Sequence, residues 1–435
     1  MLYPEVHAAL NGLAEAYDRF TQNDPARGRV DLAPSLDFRT TDIGIVFSDT
    51  AMRFLATADA ESKGRALLQS AAIGKLLDDR GVARVVDAVW YNVAIPFLHT
   101  LVRRQGGFSF QADQFESLYI EFEAFLSRGS DEYMLRAPLR NFEMQEEPLV
   151  AAGMTLRRLT RDEFVVYNGF TVADPGALRL LMQQGPYNSL LERKVVVRRG
   201  ETPMNQTNAD RFWWFVASLK LNKSGSVRYD EILVYPTSWE TMSFAYSSLS
   251  WIRARPDRTY RLETADREKV AQLATTLDGF VDKPPFWRLA LERLVDGIDR
   301  IRDDEALLDF WIACESLLGA ESDQGELSYR LTLRLAHLLE TTYEGRKRVR
   351  DTAKAAYRTR SKIVHGDVKV DPKQLKADAT NMQDLTRRAV LRCLERGWTS
   401  KGDMLHDLET SVLGGGHRAN GGDPDKARAG ERAGP

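Results

Sequence analysis

Residues 345–367 read GRKRVRDTAKAAYRTRSKIVHGD. Small and aliphatic side chains recur in this stretch at helical spacing, and arginine and lysine fill most of the other positions. The apolar positions are Val349, Ala353, Ala356, Ile363 and Val364. Gly366 follows them directly, and glycine is a common residue just past the end of a helix. The stretch therefore predicts a basic amphipathic helix that ends at His365.

The basic helix belongs to a series of helical patterns in the last third of the chain. Each pattern carries apolar residues on one face and the connections are short, which is typical of an up-and-down helical bundle. Prolines near residues 256 and 284 mark domain boundaries. They predict a linker with a leading helix over 256–283 and a bundle over 284–400. Within and at the start of this region we predict helices over 286–301, 304–318, 327–340, 345–365 and 372–396.

The first 255 residues mix helical and strand patterns. Apolar residues recur at helical spacing over 3–20, 61–77 and 82–103. Runs rich in aromatic and β-branched residues, separated by turn residues, then predict strands over 133–142, 154–159, 194–198, 212–221 and 227–234. The predicted fold class is therefore α+β. A mixed N-terminal region, as one domain or two subdomains over 1–255, precedes the all-α bundle.

Composition limits the kinds of site that the chain can carry. Because the formal net charge is −2, any nucleic-acid site has to be local. Cys314 and Cys393 are the only cysteines, each in an apolar segment, which predicts no disulfide framework and fits a reducing cytoplasm. The histidines show no ligand spacing, so we predict no metal and no cofactor. No stretch is apolar for long enough to span a bilayer, and residues 414–435 are predicted to be a disordered tail.

Arg360 and His365 are the candidate catalytic pair. A guanidinium can fork two hydrogen bonds onto phosphate oxygens, and an imidazole near a helix C-terminus can transfer a proton or bind a phosphate. Five residues along a helix rotate about 500°, so the two side chains would point about 140° apart. Two arrangements could bring them together: unwinding of the last turn before Gly366, or a second copy of the helix across a two-fold axis. Ser361 lies four residues before His365 and shares its face.

Several neighbouring residues have both a functional and a structural interpretation. Glu315, in an earlier apolar helix, forms a structural ion pair, orients Arg360 or His365, or does both. Tyr357 is predicted to be a packed or interface aromatic that supports the site. The aromatic run 211–215 is predicted to be a core strand rather than a surface that stacks bases. The cations of the basic helix either form a solvated face or contact an RNA backbone, and the candidate RNA-binding residues are Arg350, Lys354, Arg358 and Lys362.

The segment YRTRSKIVHG at 357–366, together with DFWIACESLLGA at 309–320, resembles the HEPN superfamily, in particular its ApeA-like branch. The superfamily motif is an arginine and a histidine separated by four to six residues, which corresponds here to Arg360 and His365, with Glu315 as the acidic residue of the preceding helix. The resemblance implies a homodimer in which both copies line one cleft. It also implies a metal-independent endoribonuclease in which the RNA 2′-hydroxyl attacks the neighbouring phosphate, His365 transfers a proton and Arg360 clamps the phosphate.

ApeA-like proteins join such a bundle to a separate N-terminal region and act in bacterial defence against phage. By this resemblance, the N-terminal region would sense a phage-derived trigger and restrain the ribonuclease. Many ribonuclease members have Asn, Asp or His after the arginine, whereas this chain has Ser361. That departure keeps a second function open, in which the bundle only dimerises or binds RNA and the N-terminal region senses a ligand or a phage protein. In a third alternative the N-terminal region is itself the active part.

Overall fold

The chain divides after Asp282 into two compact units, each of which is described by itself below. Its structure is a computed structural model. The residues that it describes are 1–22, 54, 56–105, 110–145, 147–160, 163–164, 167, 187–237, 245–246, 259–320, 326–366 and 370–413. The tail predicted to be disordered, 414–435, lies outside the described residues. Among the residues described, no helix combines the length and apolar character needed to cross a bilayer.

A layer of helices opens the first unit. It comprises α1 (Pro4–Gln22), α2 (Ala58–Gln69), α3 (Ala71–Asp79), α4 (Val86–Val89), α5 (Ile95–Gln105) and α6 (Ala112–Ser127), with a π-helical segment, Trp90–Ala94, between α4 and α5. Edge-to-face contacts of Phe97 with Phe115 and Phe122 lie in their common core. The predicted helix 61–77 is two helices, because the backbone at Ser70 is extended. Helix α6 was not predicted.

An antiparallel sheet follows the helical layer, with strand order β3-β4-β5-β1-β7-β8 and β6 paired to β1. Its apolar face packs against α7 (Gln206–Asn222) and α8 (Arg267–Asp278). A parallel pair, β2 with β9, completes the strands. The strands are β1 (Ser130–Arg140), β2 (Phe142–Met144), β3 (Leu149–Ala151), β4 (Met154–Arg158), β5 (Tyr187–Arg198), β6 (Arg228–Tyr229), β7 (Ile232–Pro236), β8 (Ala245–Tyr246) and β9 (Tyr260–Leu262).

The predicted strand 212–221 is wrong, because these residues lie inside helix α7. Asn205 caps that helix by accepting a hydrogen bond from the Asn208 amide. Beyond Phe212 the helix is buried on nearly every side, and a helix without a polar face shows no 3.6-residue periodicity. The expectation that the aromatic run 211–215 belongs to the core holds for Trp214, which is 1% exposed.

In the second unit the described residues form six helices: α9 (Arg288–Asp299), α10 (Asp303–Leu318), α11 (Leu327–Leu339), α12 (Tyr343–His365), α13 (Pro372–Arg396) and α14 (Lys401–Val412). The first five correspond to predicted helices, and α14 was not predicted. With a sheet in the N-terminal half and helices in the C-terminal half, the α+β prediction is confirmed. Helix α12 runs from the Thr342 cap to Gly366, whose φ of 68° is left-handed. This is the conformation that glycine adopts readily at a helix end.

The buried face of α12 includes a polar contact to α13. Thr359 and Asp378 are both buried, and the Thr359 hydroxyl donates to Asp378 Oδ2 at 2.6 Å. Gln374 donates to the other oxygen of Asp378 at 2.9 Å. At the end of the predicted apolar stripe, by contrast, Val364 is 52% exposed. The contact fixes α12 against α13 just before the candidate site.

Replacing Asp378 by alanine is expected to lower the free energy of unfolding by about 1–3 kcal/mol, because the buried Thr359 hydroxyl loses its acceptor. Equilibrium urea denaturation of the whole chain measures this change. Lys376→Ala, at an exposed position of the same helix, is the matched control and should change the free energy by less than about 0.5 kcal/mol. Equal effects of the two substitutions would show that the buried contact contributes nothing to stability.

Candidate active site

The Arg360 guanidinium lies in the seam between α12 and α10. Its Nη2 donates to Glu315 Oε1 at 3.3 Å, and its central carbon lies 5.5 Å from the centre of the Tyr357 ring. The Tyr357 ring in turn meets Trp311 edge-on, with the ring centres 5.0 Å apart. The Arg360 and Glu315 side chains are 25% and 27% exposed. The guanidinium is therefore held in place while part of it remains open to solvent.

The observed contacts bear on the interpretations of Glu315 and Tyr357, and the ion pair of Glu315 with Arg360 fits both its structural and its orienting role. Glu315 contacts Arg360 and not His365, and Tyr357 is a packed aromatic, as predicted. The pair is partly solvated, so its contribution to stability is small, of the order of 1 kcal/mol or less. Sequence reasoning did not assign a supporting role to Trp311. The spacing could have indicated this role, because Trp311 and Glu315 are four residues apart and so share one face of α10.

Two cations hold the end of α10 that carries Glu315. Arg334 of α11 is buried and donates to the Leu318 carbonyl at 2.8 Å. Lys401 of α14 donates to the Ser316 carbonyl at 2.7 Å. Carbonyls in the last turn of a helix have no intrahelical partner, so these contacts satisfy them and fix the helix end. The unpredicted helix α14 thus helps to position the acidic residue of the site.

His365 is the last residue of α12 and is exposed. The Gly366 amide donates to the Lys362 carbonyl at 3.1 Å, so the helix remains regular up to His365. Unwinding of the last turn, one of the two arrangements considered above, does not occur. Arg360 and His365 therefore point about 140° apart within one chain, and a single copy does not bring them together.

One face of α12 is cationic and open to solvent. Lys354, Arg358 and Lys362 are exposed, and none of the three has a carboxylate partner among the described residues. By the rotation of an ideal helix they lie within about 60° of His365. Arg350 also lies about 60° from His365, but its guanidinium packs over the Tyr329 ring of α11 at 5.3 Å. Three of the four predicted RNA-binding residues are thus exposed on the face of His365.

Other chemistry has little support among the described residues. Burial raises the pKa of the Cys314 thiol to about 12, so this thiol stays protonated at neutral pH and is a poor nucleophile. No group of three or more His, Cys, Asp or Glu side chains converges among the described residues to hold a metal ion.

Ser361 is half-buried, and its hydroxyl has no hydrogen-bond partner in the described part of the chain. It is thus available beside His365, with which it shares a face.

The chain matches no family model, no curated protein and no solved structure with which it was compared. The function of the site is therefore argued from its own residues.

Proposed function

We propose that the chain is a metal-independent endoribonuclease of the HEPN type that acts as a homodimer in bacterial defence against phage. The observation that carries the proposal is that Arg360 and His365 lie in different surroundings on α12. Arg360 is held in the seam with Glu315, while His365 lies at the exposed end of a face whose three cations have no carboxylate partner in the described part of the chain. A phosphate backbone supplies the negative charge that such a face lacks.

Two exposed apolar side chains support the homodimer. Ile312 is 38% exposed and lies three residues before Glu315, on the same side of α10. Val364 is 52% exposed and lies four residues after Arg360, on the same side of α12. A second copy packed over both would bury them beside the ion pair. It would also supply a His365 for each Arg360, as a two-fold arrangement requires.

In the proposed reaction the 2′-oxygen of RNA attacks the adjacent phosphorus. The His365 imidazole from one copy takes the 2′-hydroxyl proton and, as the imidazolium, gives a proton to the departing 5′-oxygen, beside the Arg360 of the other copy. The products are a 2′,3′-cyclic phosphate and a 5′-hydroxyl. Arg360 stabilises the charge that develops on the phosphoryl oxygens. We further propose that the first unit receives a phage-derived trigger, and the division of the chain into two units supports this separate role.

Incubation of the purified chain with end-labelled RNA in the presence of a chelator tests the proposal. We expect cleavage products that carry 2′,3′-cyclic phosphate ends. RNA binding without any product, with and without phage extract as the trigger, would instead support a module that binds RNA and does not cleave it.

Replacing Lys354, Arg358 and Lys362 together by glutamine is expected to weaken RNA binding and its salt dependence. Each phosphate contact to single-stranded RNA contributes about 0.7 to the slope of log affinity against log salt, so the slope should fall by about 2. Fluorescence anisotropy between about 50 and 200 mM salt measures it. The matched control replaces three exposed cations of α13, Lys373, Lys376 and Arg396. An equal fall in slope for both triple variants would contradict the assignment of the α12 face.

A further inference from the structure

A pocket of about 200 Å³ lies in the second unit, between the first half of α12 and the middle of α13. Val349 and Leu385 give it an apolar surface. The charged and polar side chains of the lining are Glu340, Arg348, Thr352, Asn381, Asp384 and Arg388. The pocket is separate from the seam that holds Arg360.

The charged groups in the pocket balance one another. Arg388 donates to Glu340 and lies 3.8 Å from the Asp384 carboxylate. Arg387 also donates to Asp384, at 2.6 Å. Two carboxylates and two arginines line the pocket, with no net charge. A pocket without net charge does not attract a phosphate. A neutral ligand that carries both hydrogen-bond donors and acceptors can bind to the carboxylates and to the arginines.

Three polar side chains of the lining have no hydrogen-bond partner among the described residues. They are the guanidinium of Arg348, the hydroxyl of Thr352 and the amide of Asn381. They converge from two helices on the same apolar patch, Val349 and Leu385. Small-molecule sites commonly combine an apolar surface with a few convergent polar groups in this way.

We propose that this pocket binds a guanine base. Guanine presents two acceptors, O6 and N7, which a guanidinium such as that of Arg348 can bind with two hydrogen bonds. Its adjacent edge presents the N1–H and N2–H donors, which a carboxylate such as that of Asp384 can accept. Cytosine offers only one donor group to a carboxylate. Adenine and uracil do not have two acceptors on one edge next to two donor groups on the adjacent edge. Val349 and Leu385, each 5% exposed, form a small apolar part of the lining that the edge of the ring would contact.

The pocket also adjoins the cationic face of α12. Arg348 and Lys362 lie about 40° apart around the helix and about 21 Å apart along it, so the pocket lies toward the N-terminal end of α12, beside the side of the helix that carries Lys362. Thr352 precedes His365 by 13 residues, which is about 20 Å along the helix. A strand that follows the cationic face toward His365 can therefore place a guanine in the pocket at a distance from the cleaved phosphate. The assignment of that guanine to an RNA substrate rests on the proposed function, whereas the guanine site itself does not.

Titration calorimetry of the full chain with the 5′-monophosphates of guanosine, adenosine, cytidine and uridine tests the site. The four probes share one phosphate, so any difference between them reports the base. We expect guanosine monophosphate to bind at least about tenfold more tightly than each of the others. Arg348→Met should weaken its binding by at least about tenfold, and Thr352→Val should weaken it in the same direction. Lys347→Met is the matched control, because Lys347 pairs with Asp351 outside the pocket and its loss should leave binding unchanged.

Equal binding of the four nucleotides, no binding, or equal effects of Arg348→Met and Lys347→Met would overturn the guanine site. Thermal unfolding of each variant shows that a loss of binding is not a loss of fold. RNA oligonucleotides with one guanosine or none then distinguish a guanine in a bound strand from a free nucleotide. If guanosine monophosphate binds and RNA is not cleaved, the guanine site stands and the ribonuclease proposal fails. If guanosine monophosphate does not bind and RNA is cleaved without any preference for guanine, the ribonuclease proposal stands and the guanine site fails.

Discussion

Replacing His365 by alanine is expected to reduce the rate of RNA cleavage by a factor of about 10² to 10⁴, the range that general acid–base catalysis contributes. The imidazole is exposed and makes no hydrogen bond, ion pair or ring contact within the described residues, so its removal should leave the fold intact. The RNA affinity should change little, since three other cations remain on the same face of α12. Single-turnover cleavage of a labelled RNA, at saturating protein, isolates the chemical step from binding.

His406→Ala is the matched control for that substitution. His406 is also exposed and lies in the same unit, on α14, away from the cationic face of α12. Its replacement should leave the cleavage rate within about twofold of the original. If the two histidine variants cleave RNA at the same rate, His365 has no part in the reaction, and a contaminating nuclease becomes the simplest explanation of the activity.

Replacing Arg360 by alanine is expected to reduce the cleavage rate by a factor of about 10² to 10³, comparable to the loss of one donor that stabilises transition-state charge. Arg360→Lys should recover only part of the rate, because an ammonium keeps the charge but lacks the planar fork of donors. The free energy of unfolding should fall by no more than about 1 kcal/mol in either variant, since the pair with Glu315 is partly solvated. Single-turnover rates and urea denaturation of the same preparations separate the two effects.

Arg396→Ala, at an exposed position near the end of α13, serves as the arginine control. It should leave both the rate and the stability unchanged. A large loss of stability in Arg360→Ala, in proportion to its loss of activity, would assign the arginine a structural role in the seam. Loss of RNA affinity without loss of the saturated rate would make Arg360 a binding residue only.

The sequence was sufficient to predict the first five helices described in the second unit, most clearly where a helix buries a single face. The helix carrying Arg360 is the clearest case. Its apolar positions Val349, Ala353 and Ala356 are buried, and it ends at His365 before Gly366, as the pattern predicted. Helix α7 shows why the same reasoning fails elsewhere. A helix that is buried almost all round presents a continuous apolar run, which also suits a strand.

The residues of the candidate site could be proposed from the sequence, but most of their contacts could not. Helical rotation alone gave the 140° between Arg360 and His365, and the regular end of α12 leaves that angle in place. The partner of Glu315 was left open, because the spacing of residues within one helix does not reveal which helix packs beside it. The same limitation hid the contact of Thr359 with Asp378 and the packing of Arg350 on Tyr329. Each of these depends on residues far apart in the chain.

A heterodimer of two inactive variants tests most directly whether two copies build one site. Arg360→Ala and His365→Ala chains carrying different affinity tags are expressed together, and the heterodimer is purified through both tags in turn. If each site takes Arg360 from one copy and His365 from the other, one of the two sites is intact, and the heterodimer should cleave RNA at about half the rate of the original dimer. A heterodimer no more active than the two inactive homodimers, beside an active original chain, would contradict the shared site.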